Sequence, residues 1–151
     1  SLFDTATRVR LVKEGVRHLN NVVVLPTREY IVSSATFPSY FLKDQAKEAV
    51  AKVQAVLDAK LFKERIAPAL GITTRYVGEE PLSPVTNLYN QAMNSVFSAA
   101  LKLVIVPRKQ QQHEVISASR VRALMEERDY EAIRALVPET TLNEILKQIK
   151  K

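Results

Sequence analysis

The stretch VISASRVRAL, residues 115–124, gathers two serines and two arginines where a helix is predicted to begin. A helix start exposes about four unpaired backbone N–H groups and a partial positive charge, so it favours an anion. Ser117 and Ser119 can cap these donors or offer their hydroxyls to phosphate oxygens, and Arg122 can reach back toward the same anion. The expected chemistry is phosphate binding. On spacing alone, a capped helix with solvated arginines explains the same residues.

The composition is that of a globular protein with an attraction for anions. Its 151 residues are 46% hydrophobic, enough for one domain with a core, which we expect to span residues 1–151. The net charge of +6 favours a nucleotide, an acidic protein or nucleic acid as partner. The absence of cysteine excludes disulfides, thiolate ligands and a cysteine nucleophile. No apolar run approaches the roughly 18 residues of a membrane span, and the first residues lack a signal-peptide pattern, so we expect a cytoplasmic protein without a membrane partner.

Helical periodicity alternates along the chain with short apolar runs. Helices are predicted to begin at Asp4, at Asp44 and after the cap Ser83, and at about Ser119–Glu127, Asp129–Leu136 and Thr141–Ile149. Their predicted buried stripes include Val9, Val12, Val16 and Leu19; Val50, Val53 and Leu57; and Val85, Leu88, Tyr89, Ala92, Met93 and Val96. Buried strands are predicted at Val22–Leu25 and in LKLVIVPRK (101–109), and a short strand is predicted to end at Gly78, whereas QQQHEV (110–115) is predicted to be a polar loop.

This alternation predicts an α/β fold, a doubly wound parallel sheet with helices on both faces. In such sheets ligands bind beyond the carboxyl ends of the strands, where polar residues follow each predicted strand here. The fold normally opens on its central strand, whereas the first element of this chain is a helix. We therefore expect the first strand to be missing.

Several stretches resemble one enzyme family. ISASRVR (116–122) is similar to the I-S-S-T-x-V-R motif of the HxGH nucleotidyltransferase superfamily, with Ala118 in place of a serine. SLFDTATRVRLVKEG (1–15) resembles the F-x-x-x-x-R helix that follows the first βα unit in that superfamily. Three longer stretches together resemble the catalytic domain of the citrate (pro-3S)-lyase ligases: YIVSSATFPSYFLKD (30–44), IAPALGITTRYVGEEPLSPVTNLYN (66–90) and ISASRVRALMEERDYEAIRALVPETTL (116–142). The resemblance covers nearly the whole chain.

The resemblance implies a Rossmann-like nucleotidyltransferase fold and an ATP-dependent acid–thiol ligase. Such enzymes form acetyl-adenylate from acetate and ATP and release pyrophosphate. They then pass the acetyl group to the thiol of the phosphoribosyl dephospho-CoA group on the citrate lyase acyl carrier subunit. Because adenylyl transfer depends on positioning and charge neutralisation, a chain without cysteine can perform it. Mg²⁺ would enter with the ATP phosphates, and no metal site of the protein's own is predicted.

The resemblance also implies roles for individual residues. Ser117, Ser119 and Arg122 become the predicted phosphate-binding set. Gly78 would allow close backbone approach of the nucleotide, and the Glu79 carboxylate would accept from ribose hydroxyls. The aromatic stretch from Thr36 to Lys43 either packs in the core or shapes the acyl or pantetheine pocket, with Lys43 near phosphates or the prosthetic arm.

One departure from the family pattern concerns the catalytic signature. The superfamily's H-x-G-H motif, which steadies the phosphates in the transition state, does not occur in this sequence, and the two histidines, His18 and His113, are isolated. No catalytic residue is therefore assigned. We expect the chain to begin after that signature, and we predict that these 151 residues alone do not adenylate acetate.

Other residues allow alternative interpretations. Glu79 and Glu80 are unsuited to share a metal ion, because neighbours on an extended segment point in opposite directions. Arg108 is predicted either to meet phosphates or to be solvated, and the face formed by Asn87, Asn90 and Asn94 is predicted to be exposed polar surface.

Two other functions remain open. The first is a related adenylyltransferase of the pantetheine-phosphate or nicotinamide-mononucleotide type, which would share the phosphate motif. The second is a non-catalytic basic binding module. Nucleic acid is not the expected partner, because the arginines are dispersed and the aromatics fall mostly on core stripes.

Overall fold

The computed structural model describes residues 3–42, 47–81, 83–111 and 114–149. The chain divides into two compact units. One unit takes the residues up to Pro26 and from Lys109 onward, and the other spans Thr27–Arg108. We call them the terminal unit and the central unit and describe each by itself.

The helices and strands follow one another in a mixed α/β order. In chain order they are α1 (Thr5–Gly15), α2 (Ser39–Leu42), α3 (Glu48–Leu61), a π-helical turn (Phe62–Ile66), α4 (Ala67–Ala69), β1 (Thr74–Gly78), α5 (Pro84–Val96), β2 (Lys102–Val106), β3 (Gln110–Gln111), β4 (Glu114–Val115), α6 (Ala118–Glu126), α7 (Tyr130–Arg134) and α8 (Glu139–Ile149).

The central unit contains a parallel pair of strands, as the alternation of elements predicts. β1 pairs with β2 in parallel from Thr74 opposite Lys102 to Gly78 opposite Val106, and α5 connects the two. The prediction that β2 is fully buried is wrong, because Ile105 and Val106 are exposed. The carboxyl ends of both strands meet at Gly78 and Val106, which fixes where the residues that follow them lie.

The strand predicted at Val22–Leu25 does not form. This stretch is irregular, and the Val23 side chain is 79% exposed. A β-strand is stabilised by pairing its backbone N–H and C=O groups with a neighbour, and within the described residues β1 and β2 pair only with each other. Strong β propensity alone therefore does not make this segment a strand.

The core of the central unit lies between α3 and α5. The predicted α5 stripe is confirmed, with Tyr89 and Met93 buried. On α3 the predicted face is wrong, since Val53 is 70% exposed and the buried face consists of Ala51, Ala55, Asp58 and Ala59. Small side chains let the two helices approach closely, so the alanine face packs against the bulky α5 side chains. The predicted start of this helix at Asp44 lies outside the described residues.

In the terminal unit, α6, α7 and α8 surround a second core. Ile133, Leu142 and Ile145 are buried there. Asp4 caps α1 as predicted, accepting from the Thr7 backbone N–H at 2.7 Å. On α1, however, Leu11 is the buried residue and the predicted Val12 is exposed. Leu19, which follows the end of the helix, is also exposed.

A short hairpin replaces the polar loop predicted at residues 110–115. β3 and β4 pair antiparallel, with Gln110 opposite Val115, whereas His113 lies outside the described residues. His18 is exposed, in agreement with the expectation of a surface side chain. Among the helices described, none is long and apolar enough to cross a membrane.

We expect Met93→Ala to destabilise the protein by about 2–5 kcal/mol, because it leaves a cavity between α3 and α5 that only partly collapses. Met93 is fully buried in that core. The matched control is Val53→Ala on the exposed face of α3, for which we expect a change within about 0.5 kcal/mol. Urea unfolding of both variants measures the difference. An equal loss in both would mean that the buried face of α3 has been assigned incorrectly.

Candidate functional site

The start of α6 presents the groups predicted to bind phosphate. Ser117 is the N-cap, with an extended backbone, and its Oγ accepts from the Arg120 backbone N–H at 3.2 Å. Ser119, two residues later, is exposed. Arg122 is also exposed, and its Nη2 donates to Ser119 Oγ at 3.0 Å. The structure thus brings Ser119 and Arg122 together, and the arginine turns back toward the helix start as predicted.

In the central unit, Gly78 and Glu79 stand at the carboxyl end of β1. The Glu79 backbone N–H donates to the Val106 carbonyl at 2.8 Å, which extends the strand pairing past the end of β1. Within the described residues, a Cβ at Gly78 would have no neighbour within 4 Å. Space beside the Gly78 backbone is therefore available to a ligand.

Arg108 joins the ends of the two strands. Its Nε donates to the Glu79 carbonyl at 2.9 Å, and its Nη2 forms an ion pair with the half-buried Glu80 carboxylate. Arg108 is therefore partly exposed and already bonded to two neighbouring glutamates, whereas its predicted contact with phosphates stays a prediction. In the part of the chain that the structure describes, no group of three or more histidine or acidic side chains could hold a metal ion.

A cavity of about 360 Å³ opens beside Glu79 and Glu80. The α5 side of its wall is made of amide side chains: Asn87, Asn90, Gln91 and Asn94. The prediction of an exposed asparagine face is wrong at Asn90, which is only 5% exposed and donates its Nδ2 to the Gly78 carbonyl at 3.0 Å. The sequence signal for this amide wall was the helical spacing of the amides after the end of a strand.

A buried polar network behind this cavity was not predicted from the sequence. Asp58 of α3 is 0% exposed, and its Oδ2 accepts from the Tyr89 hydroxyl at 2.5 Å. Arg75 of β1 donates to the same hydroxyl at 3.3 Å and lies over the Phe62 ring, 4.1 Å from its centroid. The sequence signal was weak: one aspartate at helical spacing from buried alanines.

The aromatic stretch before α3 packs in the core over part of its length. Phe37 is fully buried, and its ring contacts those of Tyr40 and Tyr89 at centroid distances of 5.6 and 5.5 Å. Phe41 is exposed. Lys43, the predicted phosphate or prosthetic-arm residue, lies outside the described residues.

The chain is similar to the citrate lyase ligases along nearly its whole length. The family model for the citrate lyase ligase C-terminal domain matches residues 1–145. A citrate (pro-3S)-lyase ligase of Klebsiella pneumoniae is 41% identical over 95% of this chain, and one of Escherichia coli K12 is 40% identical over 95%.

This chain belongs to the citrate lyase ligase C-terminal domain family. A third member, the citrate (pro-3S)-lyase ligase of Haemophilus influenzae, is 37% identical over 97% of this chain. The matched regions cover 43%, 42% and 45% of the three relatives, so the chain spans less than half of their length. No solved structure matches. The resemblance deduced from the sequence motifs is thereby confirmed.

The predicted site residues of this family member fall in both units. Ser117, Ser119 and Arg122 belong to the terminal unit, and Gly78 and Glu79 to the central unit. Their roles toward a ligand stay predictions.

We expect the stability of the protein to fall above pH 10 partly because of Tyr89. Burial raises the pKa of Tyr89 above its usual value near 10, against the opposing charge of Arg75 and with the support of its hydrogen bond to Asp58. Above pH 10 the unfolded chain releases the Tyr89 proton before the folded chain does. The contribution of Tyr89 to the free energy of unfolding is therefore complete below pH 10 and declines as the pH rises toward the folded-state pKa. The slope is about 1.4 kcal/mol per pH unit.

Tyr89→Phe, which has no proton to lose, should show a shallower decline over the same range in urea unfolding. Tyr76→Phe is the matched control, because Tyr76 is 68% exposed. Parallel curves for Tyr89→Phe and the unmodified protein would show that Tyr89 titrates normally.

Proposed function

We propose that this chain is the nucleotide-binding part of an ATP-dependent acid–thiol ligase that acts on citrate lyase. The observation that supports this most is the contact of Arg122 with Ser119 at the start of α6, in a chain of the citrate lyase ligase family. In this proposal, β1 and β2 are two strands of a doubly wound, Rossmann-like parallel sheet. The compartment is the cytoplasm, where ATP is available.

The start of α6 suits a triphosphate by its chemistry. First-turn N–H groups, the Ser119 hydroxyl and the Arg122 guanidinium are all donors, and each favours a phosphate oxygen over a neutral group. Ser117 would act through its cap, which fixes the helix start. In this proposal Mg²⁺ would enter with the ATP phosphates, and Lys43 stays a proposed phosphate or prosthetic-arm residue.

The strand ends, taken by themselves, suit a neutral group that carries hydroxyls, such as a ribose. Gly78 leaves space for the ligand, and Glu79 and the α5 amides border the cavity. Because Arg108 neutralises Glu80, the wall offers mostly neutral donors and acceptors. We propose that Glu79 accepts from ribose hydroxyls there, while Asn90 holds the Gly78 carbonyl in place.

The proposed reaction has two transfers. An acetate oxygen attacks the α-phosphorus of ATP, pyrophosphate leaves, and acetyl-adenylate forms. The thiol of the phosphoribosyl dephospho-CoA group on the citrate lyase acyl carrier protein then attacks the acetyl carbonyl, and AMP leaves. Arg122 and the α6 start would neutralise the charge that develops on the phosphates. No residue of this chain is assigned as nucleophile or base.

We expect Arg122→Ala to weaken ATP binding by the chain roughly 10- to 150-fold, because it removes a charge-assisted contact of about 1.5–3 kcal/mol. Isothermal titration calorimetry measures the change. The matched control is Arg134→Ala, an exposed arginine of α7 in the same unit, which should leave the affinity unchanged. Equal effects of the two substitutions would mean that Arg122 contributes only general positive charge and makes no specific contact with ATP.

We expect the complete gene product to release pyrophosphate from ATP when acetate is present, and not when phosphopantetheine replaces acetate. The acyl acceptor should gain an acetyl thioester in the same assay. Release with phosphopantetheine alone would instead support a pantetheine-phosphate adenylyltransferase. Binding of random oligonucleotides without binding of ATP would support a basic binding module.

A further inference from the structure

The Asp58 carboxylate joins three segments of the central unit at a position that solvent does not reach. Its Oδ1 accepts from the Val32 backbone N–H at 2.9 Å, and its Oδ2 accepts from the Tyr89 hydroxyl at 2.5 Å. A buried carboxylate is costly unless its oxygens are hydrogen-bonded. Asp58 of α3 is therefore bonded both to the irregular segment 27–38 and to α5.

Val32 is held in a backbone conformation that valine rarely adopts. Its φ is +48°, in the left-handed region, where a β-branched side chain crowds the backbone. Such residues persist only where their surroundings enforce the conformation, and they cluster near ligand sites. The bond from the Val32 N–H to Asp58 is an enforcing contact, so the carboxylate helps to hold the segment in its strained form.

The other oxygen of Asp58 acts on the helix that lines the cavity. Tyr89 precedes Asn90, and the two side chains tie α5 to β1 at two points: Arg75 donates to the Tyr89 hydroxyl, and Asn90 donates to the Gly78 carbonyl. A displacement of Tyr89 would therefore move Asn90 and the neighbouring cavity wall. Asp58 does not line that cavity.

We propose that Asp58 is a positioning residue, which fixes the placement of α5 and of the 27–38 segment so that the amide-lined cavity keeps the shape that binds its ligand. This inference rests on the proposed function in taking that ligand to be ATP. Asp58 touches no ligand, and its effect is carried by Tyr89 and Asn90.

The first test compares Asp58→Asn, Tyr89→Phe and Leu57→Ala in the complete gene product. The side chain of Asp58→Asn keeps one oxygen as an acceptor and places an N–H donor against the partner of the other oxygen. Tyr89→Phe keeps the ring packed on Phe37. Both should raise the KM and Kd for ATP by about ten- to a hundredfold, with a much smaller change in kcat. The exposed neighbour Leu57→Ala should change neither.

A purely structural role predicts a different result. In that case the variants lose thermal stability, but the folded fraction binds ATP with unchanged Kd, and this outcome overturns the proposal. If Asp58→Asn does not fold, Tyr89→Phe alone decides, because it removes only one hydroxyl. An equal loss of affinity in Leu57→Ala also overturns it.

A rescue experiment examines the strained segment. In the Asp58→Asn background, Val32→Gly should restore part of the ATP affinity, because glycine adopts a positive φ without the enforcing bond. Val32→Ala removes almost as much side chain but keeps the Cβ, and it should restore less. Equal effects of glycine and alanine would mean that Asp58 does not act through the backbone of Val32.

A measurement without ligand separates this inference from the proposed function. The side-chain amide resonance of Asn90 should shift in Asp58→Asn and Tyr89→Phe, and the Val32 amide should exchange with solvent faster in Asp58→Asn. If the unmodified protein fails to bind ATP, the proposed function fails while these two signals still decide the role of Asp58. An unmoved Asn90 resonance in both variants overturns the positioning role.

Discussion

The need to satisfy a carboxylate inside an apolar layer governs the central unit. Asp58 lies on the same face of α3 as three buried alanines, and that face packs against α5. Because small side chains bring the two helices together, the Tyr89 hydroxyl can reach the carboxylate. The hydrogen bond joins α3 to α5 at this point. Asn90, one residue further, faces the end of β1 and not the solvent. One buried side chain thus contacts the helix that lines the cavity.

The elements that could be predicted from the sequence are those with local causes. Ser83 and Ser117 cap their helices, as their side-chain chemistry requires, and the two strands joined by α5 pair in parallel. Whether a side chain is buried depends instead on the element that packs against its own helix or strand. The valines of α3 are more hydrophobic than its alanines, yet the alanines are buried because the facing helix supplies the bulk. Val22–Leu25 has a strand composition but no pairing partner among the described residues. Both errors came from treating hydrophobicity as a property of one segment.

The candidate site shows the same division. The approach of Arg122 to Ser119 is a contact across one helical turn, and such spacing is readable from sequence. The partners of Arg108 are 28 and 29 residues away, and they come together only because β1 and β2 end side by side. Two arginines near predicted phosphate positions therefore differ in their surroundings. Arg108 is bonded to a carboxylate, whereas Arg122 is bonded to a hydroxyl, which competes far less with an anion.

The two sets of residues also differ in the charge of the ligand group that each favours. At the cavity by the end of β1, Arg108 forms an ion pair with Glu80 but not with Glu79, and the α5 side is made of amides, so the cavity offers directional hydrogen bonds without net attraction for an anion. A triphosphate would gain little there and would meet the Glu79 carboxylate. Ribose hydroxyls, which both donate and accept, match amides and a carboxylate well. The start of α6 offers mainly donors, namely backbone N–H groups and the Arg122 guanidinium, and a phosphate, which accepts, satisfies them. Each set, taken by itself, thus favours a different chemical group: the start of α6 favours an anion, and the cavity at the end of β1 favours a neutral group that carries hydroxyls.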